Sequence, residues 1–173
     1  LTIDSLGASL GEGLYVYLAA KKQQSGATIE ETYDYLMQTR PHLCHWFTVN
    51  DLMHLKRGGR VSATAALFGT MLQIKPVMHM DDEGHLIPVS KARGRVKSIA
   101  ETVALALKQV QGNAKYCIAV ANGSAREEAA KLAQELRQRL PDAQLFLECE
   151  VSPALGVHTG PGLLGIGVQV VEG

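Results

Sequence analysis

An α/β fold is predicted for this 173-residue chain, in the form of an α+β sandwich with a mixed sheet, helices and one inserted β-hairpin. Short apolar runs of strand length alternate with longer segments whose apolar residues recur every three or four positions. That alternation is what helices layered on a sheet require. The run Asp81-Asp82-Glu83-Gly84 lies between two apolar segments and reads as a hairpin loop. Two Ser/Thr-x-x-Glu patterns, Ser9 to Glu12 and Thr28 to Glu31, mark helix starts.

In chain order, residues 1–3 are apolar and precede Asp4-Ser5, a strand entering a loop. A first helix is expected over residues 12–24, ended by Gly26 at the C′ position. A second runs from Thr28 to about Thr39, and Pro41 stops it. Residues 43–49, with Trp46 and Phe47, form a buried strand. Asp51 caps a short helix that Gly58-Gly59 breaks, and Ser62 opens another over residues 63–71. Residues 72–80 and 85–89 are the hairpin strands. Residues 91–111 carry Val96, Ile99, Val103, Leu107 and Val110 at helical spacing. A strand at 116–121, a helix at 125–140 and a strand at 145–147 follow, and the last strand, 166–171, comes after a Gly-Pro-Gly loop.

Composition excludes several classes. With 17 basic and 17 acidic residues the net charge is +0, which disfavours a generic nucleic-acid binder. Cys44, Cys117 and Cys149 are odd in number and lack paired spacing, so no disulfide framework is expected. No apolar run reaches the roughly 18 residues of a membrane span, and no signal peptide stands out. A reducing cytoplasm is the expected compartment. The acidic hairpin loop lacks the alternating oxygen ligands of a calcium loop. The six histidines show no zinc-protease spacing, so no metal site is expected.

The segments with chemical character are glycine-rich and cationic. Lys56-Arg57-Gly58-Gly59-Arg60-Val61-Ser62 lies between two helices, and reads either as an anion site or as a turn with solvated cations. Lys91, Arg93, Arg95 and Lys97 crowd the expected start of a helix, where positive charge opposes the dipole. A phosphate, a partner's acidic patch or nearby carboxylates would have to offset them. Val157-His158-Thr159-Gly160-Pro161-Gly162 puts an imidazole and a hydroxyl before a tight turn, and an apolar strand follows. Donors at a glycine loop beside an apolar surface suit a small anionic amphiphile.

Together these segments resemble a known family. Asp51-Leu52-x-x-Leu55-Lys56-Arg57-Gly58-Gly59-Arg60-Val61-Ser62, Leu72-x-Ile74-Lys75-Pro76, Gly84, Lys91-x-Arg93 and His158-Thr159-Gly160-Pro161-Gly162 occur in the order and approximate spacing of DegV-family proteins. These are bacterial fatty-acid-binding proteins, and some act as the acyl-carrying subunit of a fatty-acid kinase. The resemblance implies a two-domain fold longer than this chain. The family's N-terminal domain supplies Thr-Ser and Ser-Gly-Thr motifs that hold the fatty-acid carboxylate, and neither motif occurs here. Residues 1–49 are therefore expected to be the second part of that domain, and residues 50–173 the C-terminal domain, of a longer protein.

The resemblance further implies a long-chain fatty acid as ligand, with no cofactor and no catalytic residue in this chain. His158, Thr159, Gly160 and Gly162 would stand at the carboxylate end. By position, Phe68, Leu72, Leu163 and Ile166 would line the tail. Arg60 and Arg93 would engage the catalytic subunit of the kinase. The rival expectations are a phosphotransfer enzyme related to dihydroxyacetone kinase subunits, with His158 as nucleophile, and a regulatory interaction domain.

Overall fold

A computed structural model describes residues 1–60, 74–113 and 115–172. Its elements are α1 (Leu10–Gln24), α2 (Ile29–Thr39), β1 (Leu43–Thr48), α3 (Leu52–Arg57), β2 (Val77–Met80), β3 (Leu86–Pro88), α4 (Arg95–Val110), β4 (Lys115–Gly123), α5 (Arg126–Arg139), β5 (Leu145–Glu150), α6 (Pro153–Thr159) and β6 (Leu163–Glu172). The strands form one six-stranded sheet in the order β3-β2-β1-β6-β4-β5. All neighbours are antiparallel except β4 and β5, which α5 joins in a parallel crossover. The α/β class, the mixed sheet and the inserted β2–β3 hairpin are as the sequence predicts. The expected helix over residues 63–71 lies outside the described residues.

Period-two alternation sends the side chains of β6 to two different layers. Leu164, Ile166, Val168 and Val170 join Ile118 and Val120 of β4 beneath α4 and α5, where Val103, Ala106, Leu132 and Leu136 close the main core. The other face of β6 carries Gly165 and Gly167. A Cβ at Gly167 would lie 3.2 Å from Leu10 Cβ and 3.4 Å from Leu14 Cδ1, so α1 packs directly on strand backbone there. Cys117, Ala119 and Ala121 of β4 complete this small-residue face under Leu10 and Leu14. Farther out, α2 packs on α1 through Tyr15, Leu18 and Leu36.

Several local expectations change. Residues 1–9 form no strand, and Ile3 instead packs beside the Tyr15–Leu36 cluster. Ser9 precedes α1, but its φ of 53° and ψ of −103° are not the extended cap conformation, and its hydroxyl makes no cap bond. Thr28 and Glu31 do form a complete capping box, and the Asp51 side chain accepts from the N–H of Met53 at 2.8 Å. The long helix begins at Arg95 rather than Lys91, because Gly94 turns with φ 81° and the preceding residues bridge Ile74 to Arg93. Carboxylates offset its N-terminal cations. Arg95 is bidentate to Glu128 of α5 at 3.0 Å for both bonds, and Lys97 lies 3.8 Å from Glu101. No helix among the described residues is long and apolar enough to cross a membrane.

The contact of α1 with β6 sets the depth of this layer. Gly167→Val is expected to lower stability by about 1–3 kcal/mol by forcing Leu10 and Leu14 outward. A fall of that size in the unfolding free energy from urea titration checks it, and an unchanged value would mean that α1 is not held against the strand.

Candidate functional site

A cavity of about 350 Å³ lies on the α1 side of the sheet. Its floor is β-strand: Phe47 and His45 of β1, Ala121 of β4, Leu163 and Gly165 of β6. Space is left because Gly165 and Ala121 project almost nothing where larger residues would fill the layer. Ala8, Ser9 and Leu10 at the start of α1 form one wall. Met80, Gly84, His85 and Leu86 of the hairpin form another, and Leu155, His158 and Thr159 of α6 a third. Leu55 and the Gly59-Arg60 turn after α3 complete it. The lining is mainly apolar, with a few polar groups at separate points.

The histidine segment is helical where a loop was expected. Pro153 occupies the first turn of α6 and Gly160, at φ 69°, ends it, so His158 and Thr159 sit in its last turn. The signal was present in Ser152-Pro153, a helix start with proline where no N–H is needed. Glycine gaps lock α6 to α3. His158 Nδ1 packs against Gly58, the His54 ring against Gly160, and the Asn50 amide against Gly162, each where a Cβ would collide. Gly160 N–H donates to Gly156 O at 2.8 Å, and Gly162 N–H to Gly123 O at 2.6 Å. The backbone donors expected to meet a ligand are therefore occupied inside the protein, and neither glycine is among the cavity-lining residues.

His158 and Thr159 do line the cavity. His158 Nδ1 is buried without a hydrogen-bond partner. Thr159 donates its hydroxyl to Leu155 O at 3.2 Å and keeps acceptor capacity. Leu163 lines the cavity, but Ile166 does not. Strand alternation turns it into the core under α4 and presents Gly165 instead. Phe68 and Leu72 lie outside the described residues. Arg60 is exposed at the cavity's edge, whereas Arg93, also exposed, is not part of the lining.

Sequence reasoning missed His45. It is 9% exposed, and its Nε2 is buried with no partner. Burial, with the neighbouring His79, lowers its pKa to about 4. His79 holds its position through a 2.9 Å bond from Nδ1 to His45 O and stacks on Trp46 at 5.7 Å. The unbroken apolar run around it gave no sign of a cavity position. Burial pushes the Cys44 and Cys117 thiols up to about 11, which works against thiolate chemistry at either. Among the described residues no group of three or more His, Cys, Asp or Glu side chains is placed to hold a metal.

Comparisons with known proteins agree on a family. A family model described as an uncharacterised protein of the DegV family matches residues 1–170. A DegV domain-containing protein of Clostridium perfringens (strain 13 / Type A) is 37% identical over 164 residues, covering 95% of this chain and 56% of that protein. The chain thus spans little more than half the length of the curated relatives it matches. Among solved structures, DegV, a fatty acid binding protein from Bacillus subtilis, is 31% identical with a TM-score of 0.86, covering 98% of this chain and 60% of that one. A DegV family protein from Thermus thermophilus, solved in a study of its fatty acid binding, is 28% identical with a TM-score of 0.91, over 98% of this chain and 60% of that one.

The buried His45 predicts a pH dependence. In the unfolded chain an imidazole takes its proton near pH 6.5, while in the folded protein His45 resists it until about pH 4. The unfolded state therefore binds the extra proton first. Stability present above pH 6.5 is lost as pH falls toward 4, by at most about 3 kcal/mol. Urea unfolding of the protein and of His45→Gln across that range checks this, and the variant's profile should be flatter.

Proposed function

The chain belongs to the DegV family, and from that premise we propose that it is a lipid-binding protein that holds a long-chain fatty acid in the cavity beside β6. The observation that carries the reading is a mainly apolar hollow of about 350 Å³ with the imidazole of His158 in its wall. That volume is within the range of small-molecule sites. His158 Nδ1 lies against Gly58, so Nε2 is the ring nitrogen that meets the carboxylate, with Thr159 beside it. The tail runs over Gly165, Leu163, Phe47 and Leu55.

Burying a tail of about sixteen carbons at about 0.8 kcal/mol per CH₂ supplies on the order of 10 kcal/mol before the costs of association. The head-group contacts need only orient the acid. In this reading residues 1–49 are the second part of an N-terminal domain and residues 50–173 the C-terminal domain. The pocket then lies between them, and β1 ties the first segment into the shared sheet. The carboxylate is presented at the cavity mouth, in a cytoplasmic setting, to the catalytic subunit of a fatty-acid kinase. Arg60 supplies a cation at that mouth and Arg93 a second beyond it, while this chain performs no chemistry of its own.

Native mass spectrometry of the purified protein tests the reading, and a retained acyl chain is the expected result. Consistent absence of one after loading with palmitate would contradict it. His158→Ala is expected to weaken palmitate binding about tenfold, as loss of one hydrogen bond to a charged group implies. Isothermal titration measures the change.

A further inference from the structure

The floor of the cavity stops partway along β6. Leu163 and Gly165 line it, while Gly167, next on the same face, does not. The side chain of Leu10 stands between the two glycines. Its Cδ1 lies 3.6 Å from where a Cβ of Gly165 would be, and its Cβ 3.2 Å from where one of Gly167 would be. Behind it, Leu14 Cδ1 comes within 3.4 Å of that second point. Leu10 lines the cavity and Leu14 does not. Leu10 is therefore the partition between the hollow over Gly165 and the packed layer over Gly167.

The partition is fixed in place. Leu10 is the first residue of α1, and the helix meets the sheet there through two glycines. Gly167 seats it on β6. A Cβ at Gly11 would lie 3.2 Å from Leu43 Cδ2, so the same turn also seats on β1. At 8% exposure, in a close-packed layer, Leu10 has little room to turn aside. Beyond it the layer continues in small residues, with Cys117 and Ala119 of β4 clustered under Leu10 and Leu14. With a shorter side chain at position 10, the cavity would run on over Gly167.

We propose that Leu10 is the stop against which the acyl tail ends, so that the side chain at position 10 sets the longest fatty acid the cavity accepts. The proposal rests on the fatty-acid reading above, with the carboxylate at His158. His158 and Thr159 precede the turn into Leu163, so the tail leads away from the α6 wall, and along β6 the way is closed at Leu10. Leu10, Phe47 and Gly165 offer carbon at this end, which suits a methyl terminus. Each further CH₂ buried is worth about fourfold in affinity, and a CH₂ that meets the stop gains nothing. Leu10 is the specificity-determining residue for chain length.

The test is displacement of a fluorescent fatty acid by a series of saturated acids of about twelve to twenty carbons. In the parent, affinity should rise about fourfold per CH₂ and then level off at a break. Leu10→Ala removes three carbons and should move the break to acids about two carbons longer. Leu14→Ala truncates the same helix outside the lining, and should lower stability and leave the break in place. A parent whose affinity rises through the longest acid overturns the proposal. So does a break that Leu10→Ala leaves unmoved, or one that Leu14→Ala moves as far. If Leu10→Ala does not fold, Gly165→Ala decides. Its methyl fits, at 3.4 Å from Phe47 Cβ and 3.6 Å from Leu10 Cδ1. A break about one carbon shorter is expected, and an unmoved break or an equal loss at every length overturns the proposal. All these results leave the fatty-acid reading standing. Binding of none of the acids by the parent overturns both.

Discussion

On one face of β6, Gly165 and Gly167 present backbone where the neighbouring strands present side chains, and the seat of α1 on the sheet follows from this. At Gly167 the missing side chain lets Leu10 and Leu14 of α1 rest on the sheet. At Gly165 only the tip of Leu10 comes near from α1, with Cδ1 3.6 Å from where a Cβ would stand, and Gly165 is part of the cavity floor. On the opposite face the same strand carries Leu164, Ile166, Val168 and Val170, which anchor it in the core. One strand thus supplies stability on one side and a hollow on the other, because successive residues alternate.

The walls of the hollow are held by a second device. Helices α3 and α6 are short, with few turns of their own to stabilise them. They are fixed to each other by His54, His158 and Asn50 seated in gaps left by Gly160, Gly58 and Gly162. This places the His158 ring at the cavity with one nitrogen against backbone, and brings Arg60 to the edge directly after the Gly58-Gly59 turn. Gly58, Gly160 and Gly162 serve packing between elements, and Gly59 turns the chain at φ 70°.

The order of strands and helices was legible because apolar spacing is a local property, as were the capping box at Thr28 and the cap at Asp51. What the sequence hid was partnership at a distance. Arg95 was conspicuous as a cation at a helix start, but only the fold brings Glu128 to it. Ile166 was apolar and close to the motif, and pattern alone did not say which face it takes. The glycines at 165 and 167 were the available sign that the odd positions face something close. His158 and Thr159 were singled out through their neighbours and do line the cavity, with the helix they end unrecognised. His45 was missed because a histidine in an apolar run has no signature until its surroundings are seen.

The cavity joins a large apolar area to a few fixed polar groups, which is what an amphiphile demands: the tail provides binding energy and the head provides orientation. The central claim is therefore that a carboxylate sits at His158. The most direct measurement is the NMR spectrum of palmitate labelled with ¹³C at its carboxyl carbon, recorded with the protein and with His158→Ala. The account predicts a discrete bound carboxyl resonance that shifts in the variant while the acid remains bound. A bound resonance identical in the two proteins would contradict it.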